Sequence, residues 1–138
     1  MSETDQATLI DDFIHRRVWA VVGVSSDPAK YGNRIFRNLR AAGYQVYGVN
    51  PHTREVDGQP IYPSLEALPQ QPEVVDMVVP PAVTEQVLQD CARLGLRRVW
   101  LQPGSESEAA LRFCQEHGIA VVHDACAMVQ KITWPAES

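Results

Sequence analysis

Residues 18–51 read VWAVVGVSSDPAKYGNRIFRNLRAAGYQVYGVNP, and this stretch decides the fold. The apolar run from Arg17 to Gly23 is typical of a strand that is buried on both faces of a parallel sheet. A helical pattern follows, and a second apolar run ends at Asn50. In a doubly wound sheet, the first strand ends where the next helix begins, and the unpaired N–H groups and dipole of that helix attract anions. We therefore expect the turn at residues 23–32 to hold a phosphate group.

The rest of the chain repeats this alternation of strands and helices. Residues 5–16 predict a leading helix, and Asp57-Gly58-Gln59-Pro60 predicts a turn. Residues 61–69 predict a short extended piece followed by about one helical turn. Three further strands are predicted at residues 74–79, 98–102 and 119–122. Helices are predicted after each of them, the first carrying a buried stripe of Val83, Val87, Leu88, Cys91 and Leu94.

Five strands separated by helices predict an α/β, three-layer, Rossmann-like domain with a parallel sheet. Right-handed crossovers favour the strand order 3-2-1-4-5, counted along the chain. We expect the whole chain, residues 1–138, to form one domain, with the leading helix within residues 1–16 and a tail at residues 132–138.

That strand order places the point where the winding direction reverses between the first and fourth strands. The loops at residues 23–32, 50–54, 79–82 and 102–105 are then expected to surround one crevice. Each loop follows a predicted strand, and the carboxyl ends of parallel strands share one edge of the sheet.

Several residues of these loops suit an anionic ligand. Ser25 and Ser26 offer hydroxyl and N–H groups beside Gly23, which permits close backbone approach, as a pyrophosphate needs. Lys30 and Arg54 lie near strand ends and are candidates for contacting the same anion.

The helix after the first turn is strongly basic. Between residues 30 and 54 the chain carries lysine and arginine but no acidic residue. Arg34, Arg37 and Arg40 recur at three-residue spacing opposite apolar positions, which favours a solvent-exposed helix face.

Composition excludes several classes of protein. A net charge of −5 disfavours general nucleic-acid binding, which requires many lysine and arginine contacts to phosphates. The acidic amino terminus and the lack of a long apolar stretch disfavour secretion and membrane insertion, so a cytoplasmic location is expected. Three cysteines without a close pair predict neither a disulfide framework nor a metal site.

A standard NAD site is also disfavoured. No G-x-G-x-x-G motif is present, and the second strand ends at Asn50-Pro51 where such enzymes carry an acidic residue for the ribose.

The chain resembles the small CoA-binding proteins whose single Rossmann-like domain is similar to the amino-terminal domain of the succinyl-CoA synthetase alpha subunit. The resemblance covers most of the chain and rests on GVSSDPAKYG at 23–32, GYQV at 43–46 leading to VNP at 49–51, VPP at 79–81, WLQPG at 100–104 and DAC at 124–126. It implies that the first turn holds the CoA phosphates, that the end of the second strand reaches the adenosine-phosphate portion, and that the Val-Pro-Pro loop lines the crevice. The residues that inherit these roles are Ser25, Ser26, Lys30, Asn50, Pro51, Val79, Pro80 and Pro81. Gly23, Arg54, Gln102 and Gly104 complete the predicted cofactor site.

The chain also departs from the family pattern. In the synthetase a lysine follows the pair that corresponds to Asn50-Pro51, and here Arg54 is predicted to supply that charge. Ala125 replaces an arginine that is common in the small relatives, which leaves the role of Cys126 open between packing and a mixed disulfide with CoA.

We therefore predict a protein that binds coenzyme A, free or acylated, with no catalytic residues, no metal and a sensing or buffering role. Two alternatives stay open. One is a small NADP-dependent reductase that uses Lys30 and Arg54 for the 2′-phosphate, and the other is a non-catalytic, ligase-like interaction subunit. Both the CoA-binding protein and the reductase would bind a small-molecule nucleotide. Whether the chain forms a homo-oligomer or joins a ligase-like partner stays open.

Overall fold

The computed structural model describes residues 5–135, so residues 1–4 of the predicted leading segment and 136–138 of the predicted tail lie outside the described residues. The helices are α1 (Gln6–Ile14), α2 (Tyr31–Ala41), α3 (Pro81–Leu94), α4 (Glu108–Glu116) and α5 (Ala127–Gln130). The strands are β1 (Val18–Val22), β2 (Gln45–Val49), β3 (Glu55–Val56), β4 (Gln59–Tyr62), β5 (Val74–Met77), β6 (Arg98–Leu101) and β7 (Ala120–Val122). A 3-10 turn spans Leu65–Ala67.

The strands form one sheet in the order β3-β4-β2-β1-β5-β6-β7. All neighbouring strands are parallel except β3, which pairs antiparallel with β4. An α/β fold with a mostly parallel sheet is thus confirmed, but the sheet has seven strands and not the predicted five.

The predicted strand order 3-2-1-4-5 is wrong. The third predicted strand is β5, and it pairs directly with β1 through Ala20 and Val75, so the five predicted strands take the order 2-1-3-4-5. Every residue of β5 is fully buried, which requires a helix layer on both faces and hence a central position. The position next to β2 on the side away from β1, where the third strand was predicted, is occupied by β4. The winding direction therefore reverses between β1 and β5, not between the first and fourth strands.

The two additional strands form a hairpin around Asp57 and Gly58. Both residues have positive φ, 52° and 75°, as a two-residue hairpin turn of type I′ requires. The Asp-Gly pair predicted a turn, but the strands on either side span only two and four residues, and the second contains Pro60.

Helices cover both faces of the sheet. α1, α2 and α5 pack on one face, where Trp19 and Trp100 are buried with their rings 5.6 Å apart. α3 and α4 pack on the other face with the buried Cys91 and Cys114, whose thiol pKa values burial raises to about 12. Both thiols are therefore protonated packing groups.

The segment after α5 returns to the sheet. The Trp134 ring packs edge-on against Tyr44 at 5.6 Å, and the backbone N–H group of Trp134 donates to the Ala42 carbonyl at 2.8 Å. Within residues 5–135, no helix is both long and apolar enough to span a bilayer.

Candidate functional site

The turn after β1 brings three parts of the backbone closer together than a side chain would permit. Gly23 has φ +107°, and a Cβ atom there would overlap the Val78 carbonyl at the end of β5. A Cβ atom on Gly32 would overlap the Gly23 carbonyl. The two glycines therefore let the start of α2 rest directly on the end of β1.

This close approach leaves a set of backbone N–H groups without acceptors. Ser25 and Ser26 in the turn, and Tyr31, Gly32 and Asn33 in the first turn of α2, have N–H groups with no hydrogen-bond acceptor in residues 5–135. Helix α2 has no side-chain cap and no acidic residue in its first turn. Such a cluster at a helix amino end attracts an anion through both its donors and the helix dipole.

The two predicted cations of the site, Lys30 and Arg54, have no acidic partner among the described residues. Lys30 is the N-cap residue of α2, and Arg54 immediately precedes β3. Both are exposed, and neither forms an ion pair within the part of the chain that the structure describes. Lys30 therefore adds positive charge at the amino end of α2, where it strengthens the attraction for a phosphate.

A groove of about 370 Å³ opens beside the turn. Its walls come from the carboxyl ends of β1, β2 and β5, from the segment after β4, and from α3. Four predicted site residues line it: Gly23, Asn50, Pro51 and Val79. The groove thus lies at the reversal of the winding direction, where doubly wound sheets hold their ligands.

Most of the remaining wall was not predicted as a site. Val83 and Val87 of α3 line the groove, as do Ser64 and Leu65 at the 3-10 turn. The sequence pattern assigned Val83 to the buried stripe of its helix, but 37% of this residue is exposed. The apolar stripe of α3 was visible in the sequence, but its contact with the segment after β4 depends on the true strand order.

Asn50 joins the turn to the loop after β2. Its side-chain N–H group donates to the Val24 carbonyl at 2.8 Å, and its Oδ1 atom accepts from the His52 N–H group at 2.8 Å. The amide thus uses both ends to hold two loops of the site together, a role that an acidic residue cannot fill because it has no donor when ionised.

The other predicted residues do not line the groove. Ser25, Ser26 and Lys30 belong to the turn, and Pro80 and Pro81 are the N-cap and first residue of α3. Gly104 lies in the loop after β6 with φ +97°. Gln102 is fully buried on the α2 and α5 face of the sheet.

Gln102 belongs to a buried polar chain below the start of α2. Its Nε2 atom donates to Asp76 Oδ1 at 2.8 Å, and its Oε1 atom accepts from the Tyr31 hydroxyl at 3.4 Å. The same hydroxyl lies 2.8 Å from the Sγ atom of Cys126. Burial and the Cys126 contact raise the pKa of Tyr31, so its hydroxyl stays protonated. Cys126 itself is half-buried.

Asp76 makes this chain sensitive to pH. The carboxyl is fully buried, and its Oδ2 atom has no hydrogen-bond partner among the described residues. Burial raises the pKa of Asp76 well above the ordinary 3.8, and the Gln102 hydrogen bond only partly opposes it.

We expect Asp76→Asn to stabilise the protein more at high pH than at low pH. Because the folded pKa lies above the unfolded one, the folded state binds more protons between the two values, and the wild type loses stability as pH rises from about 4 through the raised pKa. Asparagine keeps an acceptor for Gln102 and does not ionise. The melting temperature of the variant minus that of the wild type should increase from pH 5 to pH 8, and a constant difference would contradict the buried ionisation.

No group of three or more histidine, cysteine, aspartate or glutamate side chains in residues 5–135 is arranged to hold a metal ion. The site itself combines backbone N–H groups that can bind an anion with a largely apolar groove beside them.

Known proteins resemble this chain in sequence and in fold. The sequence profile of the CoA binding domain matches residues 17–131. An ADP-forming acetate–CoA ligase I of Archaeoglobus fulgidus is 27% identical over 127 residues, which is 85% of this chain and 18% of the ligase. The alpha subunit of an ADP-forming acetate–CoA ligase II of Pyrococcus furiosus is 36% identical over 92 residues, which is 66% of this chain and 20% of that subunit. The chain thus spans about a fifth of the length of these ligases.

One solved structure is of a chain similar in length to this one. A conserved hypothetical protein from Pyrococcus furiosus superposes with a TM-score of 0.80 at 40% identity, over 83% of this chain and 99% of that one. The resemblance predicted from the sequence motifs is confirmed.

Proposed function

This chain belongs to the CoA binding domain family, and on that basis we propose that it binds coenzyme A at the turn of residues 23–32 and in the adjoining groove. The observation that carries the proposal is the cluster of N–H groups without acceptors at the start of α2, next to a cavity large enough for part of a nucleotide. Coenzyme A fits both features, because it carries phosphate groups for the N–H cluster and an uncharged portion for the groove.

The parts of the ligand divide between the two features. The N–H groups of the turn and α2 accommodate the pyrophosphate, with Lys30 adding positive charge. The groove accommodates an uncharged portion of the ligand, because Val83, Val87 and Leu65 supply apolar contact there. Arg54 lies on the exposed segment after β2, where it is available to a further phosphate.

We propose binding without intrinsic catalysis, in which the protein senses or buffers the cofactor. Free and acylated CoA share the nucleotide portion that these residues address, so both are candidate ligands. The ligase activity of the relatives is a property of proteins about five times longer than this chain.

A second candidate is a non-catalytic subunit of a ligase-like complex. It is favoured by the match to the alpha subunit of the Pyrococcus furiosus ligase. Size-exclusion chromatography and mass spectrometry of the protein purified from its native lysate test it. A stoichiometric second polypeptide would support the subunit, and a monomer or homodimer alone would exclude a stable partner.

Thermal shifts with CoA, acetyl-CoA, dephospho-CoA, NAD, NADP and ATP test the binding proposal. A ligand at ~100 times its dissociation constant stabilises the native state by about 2.7 kcal/mol, which raises the melting temperature by several degrees. We expect this increase with CoA and acetyl-CoA. An increase with NADP alone would replace the proposal with the reductase alternative.

A bulky residue in the groove should reduce CoA binding without unfolding the protein. Val83→Trp fills part of the groove from a position that is 37% exposed, so we expect the dissociation constant for CoA to rise about tenfold, or ~1.4 kcal/mol. The matched control is Val129→Trp, because Val129 is 75% exposed on α5 and does not line the groove. Titration calorimetry measures the CoA affinity of both variants, and we expect only Val83→Trp to bind more weakly. Equal affinities would mean that the ligand binds outside the groove.

A further inference from the structure

The carbonyl groups of the turn are held by side chains from outside it. The Val24 carbonyl accepts from Asn50 at 2.8 Å, the Ser25 carbonyl from Asn33 at 2.7 Å, and the Pro28 carbonyl from Arg37 at 3.2 Å. Side-chain hydrogen bonds therefore hold three carbonyl groups of the loop in place. The N–H groups of Ser25 and Ser26 have no acceptor in the described chain.

Two of these three hydrogen bonds belong to one linked pair on α2. The Nε atom of Arg37 donates to Asn33 Oδ1 at 2.7 Å, one helical turn earlier, and Asn33 Nδ2 donates to the Ser25 carbonyl. A guanidinium group can only donate and a carbonyl can only accept, so the Asn33 amide has one possible orientation between them. The pair spans the turn, because Arg37 also reaches Pro28.

The two residues differ in exposure in a way that suits this function. Asn33 is 2% exposed and has both polar atoms of its side chain bonded. Arg37 is exposed, as its spacing with Arg34 and Arg40 predicted, but its guanidinium group is bonded to the turn and not only to solvent. In residues 5–135, Arg34 and Arg40 form no hydrogen bond to that turn.

We propose that Asn33 and Arg37 are positioning residues that hold the turn at residues 25–28 in its anion-binding conformation. The inference rests on the proposed CoA site, and it adds that affinity for the pyrophosphate depends on two side chains that need not touch the ligand. Binding to a loop that is already ordered avoids the entropic cost of ordering it at the moment of binding.

Arg37→Gln tests the proposal, and Arg34→Gln is the control that removes the same charge. Glutamine removes the guanidinium bonds to Asn33 and Pro28, and we expect the dissociation constant for CoA to rise about tenfold, as the loss of two hydrogen bonds of ordinary net strength implies. Arg34→Gln removes the same charge from the first turn of the same helix and should change the constant by less than about twofold.

Arg37→Lys separates geometry from charge. Lysine retains the positive charge but lacks the planar fork that reaches two acceptors, so we expect affinity close to that of Arg37→Gln. Recovery of wild-type affinity in Arg37→Lys would show that charge alone acts and would overturn the positioning role.

Amide hydrogen exchange in the ligand-free protein provides a readout that is independent of CoA. Exchange of the hydrogen-bonded N–H groups of Asp27, Ala29 and Lys30 should accelerate in Arg37→Gln and not in Arg34→Gln, while the amides of β1 and β5 stay protected in both. If wild-type protein failed to bind CoA, the proposed function would fail, and exchange alone would decide whether the pair orders the turn. If the wild type bound CoA and the two variants were equal in affinity or in exchange, the positioning role would be refuted.

Discussion

Gly23→Ala is expected to lower the free energy of unfolding by about 3 kcal/mol or more, and to abolish the thermal shift with CoA. Two costs combine at this position. Alanine is disfavoured at φ +107°, and its Cβ atom would overlap the Val78 carbonyl, which is backbone directly after the central β5 and cannot rotate away. Relief of the overlap requires that the ends of β1 and β5 separate, which also displaces the turn.

Gly95→Ala is the control that isolates the first cost. Gly95 ends α3 with φ +77°, but a Cβ atom there meets no other atom within 4 Å. We expect a loss of only about 1 kcal/mol for this variant and a normal CoA response. Urea unfolding of both variants measures the difference, and equal losses would mean that β1 and β5 are not in the close contact described.

Ser26→Glu is expected to raise the dissociation constant for CoA about 30-fold without destabilising the protein. The new carboxylate would stand among the N–H donors of the turn, and repulsion from the ligand phosphates through partly screened solvent is worth ~2 kcal/mol. Ser26 is exposed and near the amino end of α2, so the negative charge itself is favourable to the helix dipole. A large loss of affinity together with an unchanged or slightly raised melting temperature would separate electrostatic blocking from unfolding.

Gln115→Glu adds the same charge on the exposed surface of α4 and should leave CoA affinity within about twofold of the wild type. The effect of Ser26→Glu should also decrease at high ionic strength, because salt screens charges at exposed sites. If Ser26→Glu and the wild type bound CoA equally well, the phosphates would not bind at the turn, although the family relationship would stand.

Local features of the sequence identified most of the elements. The apolar run into Gly23 and the turn at residues 23–32 were readable because strand burial and turn chemistry depend on neighbours along the chain. Asn50 was also readable as the end of a strand, although its double hydrogen bond was not.

The hairpin of β3 and β4 was missed although its turn was recognised. Asp57-Gly58 is a strong hairpin signal, but the two short strands beside it carry too little alternation to be seen, and the hairpin is attached to the sheet by the pairing of β4 with β2. The resulting place of β4 beside β2 then excluded the predicted order of the sheet.

The sequence by itself determined the alternation of strands and helices, the glycine-rich turn and the basic start of α2, because periodicity and turn chemistry act over a few residues. Only the tertiary structure decided that β5 lies beside β1, that Val83 faces a groove, and that Arg37 reaches back to Pro28. These three outcomes join segments that are distant in the chain or separated by a loop. They are settled by which arrangement buries the most apolar surface and satisfies the most polar groups at once, a property of the whole molecule that no local pattern contains.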